Sequence, residues 1–145
     1  MPELPEVETI VRQLNKKIVG RKITDAWTDW PKTIKTHTPK RFIYDIASRK
    51  ILSARRRAKY ILINLSGEKT LIIHQKISGH LLYGKWRIEK KKPVAIMEGP
   101  IKSDLQNRFI RFILYLDNGY MLGLSDLRRF GKVLLVDTNK VEGIT

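Results

Sequence analysis

Pro2, Glu3 and Glu6 form a group able to do covalent chemistry. Once the initiator methionine is trimmed, Pro2 carries a free secondary amine. An α-amino group titrates near ~8, against ~10.4 for a lysine side chain, which leaves a useful neutral fraction near pH 7. Such an amine attacks the aldehyde carbon of a sugar and forms an iminium ion, a covalent intermediate. Glu3 and Glu6 supply carboxylates for the proton transfers that this step demands. A plainer reading covers part of the group: Pro5 suits a first helical position, and Glu6 and Glu8 complement a helix dipole. It leaves Pro2-Glu3 unexplained. If Met1 were retained, the Pro2 nitrogen would sit in a peptide bond and the nucleophile would be lost, although trimming before proline is sterically ordinary.

Two further blocks stand out. One is Ala54-Arg55-Arg56-Arg57-Ala58-Lys59-Tyr60, and the other is Ser125-Asp126-Leu127-Arg128-Arg129-Phe130-Gly131. With the opening Pro-Glu-Leu-Pro-Glu-Val, and in this order and spacing, they resemble the formamidopyrimidine-DNA glycosylase family of base-excision-repair enzymes. The resemblance runs from Met1 to about Val136. Leu4 stands where the sister endonuclease VIII group usually has glycine, so the branch acting on oxidised purines is the nearer one.

The resemblance implies a role for each matching residue. Pro2 is the nucleophile, Glu3 the acid/base that assists sugar-ring opening, and Glu6 a supporting carboxylate. Lys59 lies near the lesion and its phosphate, and His74 approaches the DNA backbone. Arg128 and Phe130 enter the duplex when a nucleotide is flipped out, Arg129 holds a backbone phosphate, and Ile77 helps fill the vacated space. Flipping explains why such types are needed, because a stacked base cannot be attacked at its sugar and the gap must be filled. Each also has a blander reading. Lys59 could be a solvated basic strand end, Phe130 a core residue and His74 a structural strand end. Trp27, Trp30 and Trp86 have no motif behind them and read as packing.

Composition points the same way. Twenty-nine Lys and Arg against fourteen Asp and Glu leave a net charge of +15 in 145 residues, with a pI near 10.2. That field favours polyanions, of which nucleic acid is the usual one, although ribosomal and membrane-surface proteins share it. No apolar run approaches the ~20 residues of a membrane span. The chain has no cysteine, hence neither a disulfide framework nor a thiolate metal site. The expected setting is a cytoplasmic, nucleoid-associated prokaryotic monomer whose partner is damaged double-stranded DNA, with no membrane partner, metal or other cofactor.

The elements that must position these residues follow from periodicity. Val7, Ile10, Val11, Leu14 and Ile18 recur at helical spacing, and Gly20 follows as a C-cap. A short helix after Thr38-Pro39 carries Phe42, Ile43 and Ile46. Tyr60 to Leu65 and Thr70 to Gln75 flank Ser66-Gly67-Glu68-Lys69, a hairpin. Arg108 to Leu116 and Tyr120 to Leu124 flank Asn118-Gly119, a second hairpin. Gly131 to Asp137 closes the sheet, and Lys90 to Asp104 reads as a long exposed loop. The expected fold class is mainly β with helices (α+β): a two-sheet antiparallel β-sandwich, with an N-terminal helix carrying the catalytic terminus, in one domain spanning 1–145.

Three departures from the family pattern bear on function. Lys76 and Ile77 stand where the family loop has glycine and methionine, so lesion preference is expected to differ. Asn107-Arg108-Phe109 replaces a His-Asp-His-like patch. The chain stops at Thr145, where a linker to a helix–two-turn–helix and zinc-finger half would begin, so that half is expected to be absent. The sequence therefore leaves open three readings: an oxidised-purine glycosylase/AP lyase, a DNA-binding module of the same shape without catalysis, and a half-enzyme needing a separate partner.

Overall fold

The computed structural model describes residues 4–58, 60–74, 79–97, 107, 109–126 and 131–145. Helix α1 (Leu4–Ile18) is followed by β1 (Ile23–Thr28), α2 (Pro39–Ile46), β2 (Ile51–Arg57), β3 (Tyr60–Leu65) and β4 (Lys69–His74). Then come β5 (Gly79–Gly84), β6 (Trp86–Glu89), β7 (Lys92–Ala95), β8 (Ile110–Leu116), β9 (Met121–Asp126), β10 (Lys132–Asp137) and α3 (Val141–Ile144). The first sheet runs β1-β8-β9-β5 and the second β10-β4-β3-β2, all antiparallel, as expected for the sandwich.

The two longer helices form for local reasons. Val11, Leu14 and Ile18 line one stripe of α1 and are buried, and Gly20 takes the left-handed conformation (φ +89°) that ends it. Thr38 caps α2, its hydroxyl accepting from the Arg41 amide, with Pro39 in the first turn. Phe42 and Ile46 are fully buried, and Phe42 meets Phe112 edge-on at 5.6 Å. The inter-sheet core joins these to Ile61, Ile63, Leu71, Ile73, Leu114 and Leu124.

Both outer faces are covered too. On the second sheet, Leu62 and Ile72 pack under Val141 of α3. On the first, Ile110 and Ile113 lie under the β6–β7 hairpin, whose Trp86 is 1% exposed. The Trp86 ring seats over Gly123, where a Cβ would come within 3.3 Å of it, and its indole N–H donates to Asn107 Oδ1 at 2.8 Å. Trp86 and Trp27 thus pack, as the sequence suggests. Trp30, half-buried, lies under the Lys32 ammonium at 5.8 Å.

The expectation of a loop from Lys90 to Asp104 is corrected over its first part. Lys92 to Ala95 is a strand, with Ile88 opposite Pro93 and Trp86 opposite Ala95. Proline is tolerated because β7 is an edge strand, which needs no amide on its open side. Residues 98–104 lie outside the described residues. The strand expected from Arg108 begins at Ile110, and the one expected to end at Leu124 runs on to Asp126.

Candidate active site

The ladder of the second sheet sets where the sequence blocks meet. Arg57 pairs with Tyr60, Tyr60 with His74, and His74 with Lys132, so these four residues form a row across one end of that sheet. Gly79 pairs with Asp126 at the matching end of the first sheet. The residues flanking position 59, segment 75–78 and segment 127–130 therefore share one end of the sandwich.

Helix α1 delivers the N-terminal block to the same end. Gly20 donates its amide to Ile51 O at 2.8 Å, at the far end of β2. Asn15 then brackets Ala54, donating to its carbonyl at 2.6 Å and accepting from its amide at 3.1 Å. Near the close of β2, Arg56 Nε donates to Glu8 Oε1 at 2.5 Å. Helix and strand are thus antiparallel, and the start of α1 lies beside the end of β2. Glu8 does more than complement a helix dipole, because it ties the helix start to the arginine block.

Two local devices shape this end. Arg57↔Tyr60 pairing leaves only residues 58 and 59 for the turn, and Ala58 sits at φ +53°, a region costly for any residue with a Cβ. The second device is a clasp between β9 and β10, in which the Gly131 amide donates to the buried carboxylate of Asp126. A Cβ at Gly131 would come within 2.9 Å of Asp126 Oδ2 and 3.5 Å of the His74 carbonyl. The clasp holds together the two ends of the segment that carries Arg128, Arg129 and Phe130.

His74 is 8% exposed, its ring stacked on Tyr60 with centroids 4.6 Å apart. Its packing side is therefore plain, at the end of β4 and beside the clasp. The backbone of Glu6 lies in the first turn of α1. Pro2, Glu3, Lys59, Ile77, Arg128, Arg129 and Phe130 lie outside the described residues. Sequence reasoning did not single out Asp126, Gly131, Glu8 or Arg56 as positioning residues. Glycine ending an arginine-rich loop was the one available signal, and it has meaning only beside a carboxylate five residues earlier.

Among the described residues no cluster of His, Asp and Glu is arranged to hold a metal ion. Nor is any described helix long and apolar enough to cross a membrane.

The described residues thus make an antiparallel β-sandwich in which the arginine-rich end of β2 lies beside the start of the first helix. The family model of the formamidopyrimidine-DNA glycosylase N-terminal domain matches residues 1–133, and the chain belongs to that family. It is 38% identical over 145 residues to the formamidopyrimidine-DNA glycosylase of Herpetosiphon aurantiacus, covering 99% of this chain and 47% of the relative. It is 44% identical over 138 residues to that of Chloroflexus aurantiacus, covering 94% and 44%. A solved structure of Lactococcus lactis Fpg with DNA containing N7-benzyl-Fapy-dG matches with a TM-score of 0.80 at 26% identity, over 99% of this chain and 46% of that one. The chain spans about half the length of the curated relatives it matches.

Proposed function

We propose that this chain is the catalytic domain of a base-excision-repair glycosylase and AP lyase that removes oxidised purines from double-stranded DNA. The observation that carries this reading is the convergence described above. Four blocks scattered from residue 2 to residue 131 are flanked by residues that meet at one end of the sandwich.

In this mechanism the lone pair of the trimmed Pro2 nitrogen attacks C1′ of a flipped nucleotide. The bond from C1′ to the base breaks, and the base leaves as it takes up a proton. Glu3 protonates the ring oxygen as the sugar opens to an iminium ion, and Glu6 supports the charge near the amine. Loss of a C2′ proton then expels the 3′ phosphate, and a second elimination frees the 5′ side. Lys59 and His74 face the backbone around the lesion, Arg129 grips a phosphate, and Arg128, Phe130 and Ile77 occupy the space left by the base. Every step is a proton transfer or the making or breaking of a carbon–nitrogen or carbon–oxygen bond, and none calls for a metal or an organic cofactor. The reading places the protein in the cytoplasm with the nucleoid, working as a monomer.

Borohydride trapping tests the reading. Trimmed protein incubated with an 8-oxoguanine duplex should yield a covalent protein–DNA adduct, lost in Pro2→Gly and in protein retaining Met1. An equal adduct from Met1-containing protein, verified by mass spectrometry, removes the proline nucleophile. Duplex binding with no adduct from any form leaves a DNA-binding module instead.

A further inference from the structure

The β6–β7 hairpin runs back along the outer face of the first sheet, and its turn arrives at the end where the sequence blocks meet. Its root is fixed at the far end: Trp86 N–H donates to Met121 Sδ at 3.4 Å and the Ile96 amide to Lys85 O at 3.0 Å. Its tip, Lys90-Lys91-Lys92, lines one cleft with Asp29, Ile110 and Arg111. Ile110 pairs with Ser125, next to the Asp126 clasp, which fixes the tip at the site end.

Both residues of that turn are lysines in the left-handed region, Lys90 at φ +51° and Lys91 at φ +66°. A two-residue turn with both φ positive favours Asn-Gly, and Glu89↔Lys92 pairing leaves Lys90 and Lys91 as such a turn. Choosing two lysines is locally unfavourable and clusters three like charges. Lys90, Lys91 and Lys92 are all exposed, and among the described residues none has an ion-pair partner. The nearby acids are engaged elsewhere, Glu89 with Arg87 at 3.4 Å and Asp29 with Arg111 at 3.0 Å. A turn that sacrifices local preference to display free cations on an anchored arm fits a polyanion better than it fits packing.

We propose that the Lys90-Lys91-Lys92 turn is a second phosphate-contacting element, gripping the DNA backbone to one side of the lesion. This rests on the reading of the domain as DNA-binding. A Lys90→Asn/Lys91→Gly double variant tests it, since it removes two charges while giving the turn its preferred residues. Thermal stability should hold or rise. The slope of log affinity against log salt on a lesion duplex of about two helical turns should fall by about two units. Affinity at moderate salt should drop about tenfold, and on a duplex trimmed to the base pairs nearest the lesion the two proteins should converge. A stabilised variant with unchanged slope and affinity overturns the proposal while leaving the domain's DNA binding intact. An equal loss on the trimmed duplex also overturns it, because the effect would then be general charge rather than an outlying contact. If the unaltered chain shows no salt-dependent duplex binding, the reading of the domain fails and the proposal with it.

Discussion

The two ends of the sandwich solve the same problem in opposite ways. The far end closes on itself. Its turns place Gly20, Gly67 and Gly119 at positive φ, along with Ser48 and Glu68. Part of its charge is matched, with Asp45 receiving Arg49 at 2.8 Å and His37 at 3.1 Å and Lys69 bridging to Asp137 at 2.8 Å, while Lys22 and Lys50 have no ion-pair partner among the described residues. At the site end the described residues with positive φ are Ala58, Lys90 and Lys91, none of them glycine. There Arg55, Lys90, Lys91, Lys92 and Lys132 have no ion-pair partner among the described residues. The far end places glycine at most of its left-handed turn positions, whereas the site end gives up that preference and displays exposed arginines and lysines. Such concentration of unfavourable backbone is a mark of function when it coincides with a binding surface.

The comparison is broken most sharply at the clasp. Gly131→Ala drives a Cβ against the Asp126 carboxylate and toward Leu124, and should lower stability by about 2–3 kcal/mol. Denaturant melts should show this, with DNA nicking reduced in molecules still folded. Wild-type stability in this variant would mean that the clasp imposes no constraint.

At the far end, Asp45→Asn should cost about 1–2 kcal/mol at pH 7 and leave duplex affinity unchanged. Burial pushes the Asp45 carboxyl up, but the Arg49 hydrogen bond, the Lys69 and Arg49 charges and the His37 hydrogen bond together hold it below its ordinary value of 3.8. A carboxyl held low in the folded state adds stability above its unfolded value and loses it as pH falls through the folded one. Melting curves between about pH 5 and pH 2 should therefore converge for the two proteins. A gap that stays constant on acidification, or a change in DNA affinity, would contradict the division between the ends.

Glu8→Gln should be milder for stability, under ~1 kcal/mol, because Glu8 is nearly half exposed. Its signature is a mismatch: nicking should fall by several-fold more than stability accounts for, since the ion pair aims the start of α1. Parallel small losses in both would reduce it to an ordinary surface pair. Smallest of all is Ala58→Gly, which relieves a left-handed residue and should raise stability by about 0.5–1 kcal/mol. No gain would show that the turn carries no strain.

Much of this was legible in the sequence, for stated reasons. Both longer helices and the two hairpins at 66–69 and 118–119 announce themselves through period, caps and turn residues. The β6–β7 hairpin did not. Proline and a lysine run mask an edge strand that is held by tertiary contact, with Trp86 under the hairpin and Asn107 twenty-one residues away. The convergence of the blocks was expected only through resemblance, since nothing local says that Arg57, His74 and Lys132 stand in one row. The clasp was invisible because Asp126 and Gly131 gain their meaning from each other. Position 74 was read two ways, and the stacked, buried ring on Tyr60 supplies the packing half of that choice.

The irregular pairing between Ile110 and Phe112 acts like a frameshift in a two-letter code. A strand alternates inward and outward, and one extra residue changes the parity of everything beyond it. With Arg111 as the inserted letter, Phe112 and Leu114 face the inter-sheet core, while Ile110 and Ile113 both lie beneath Trp86. Pairing Arg111 in regular register instead would turn Ile110 toward the inter-sheet core, on the wrong side of the sheet from the hairpin that covers it. The irregularity is thus what lets two isoleucines three positions apart share the face beneath Trp86.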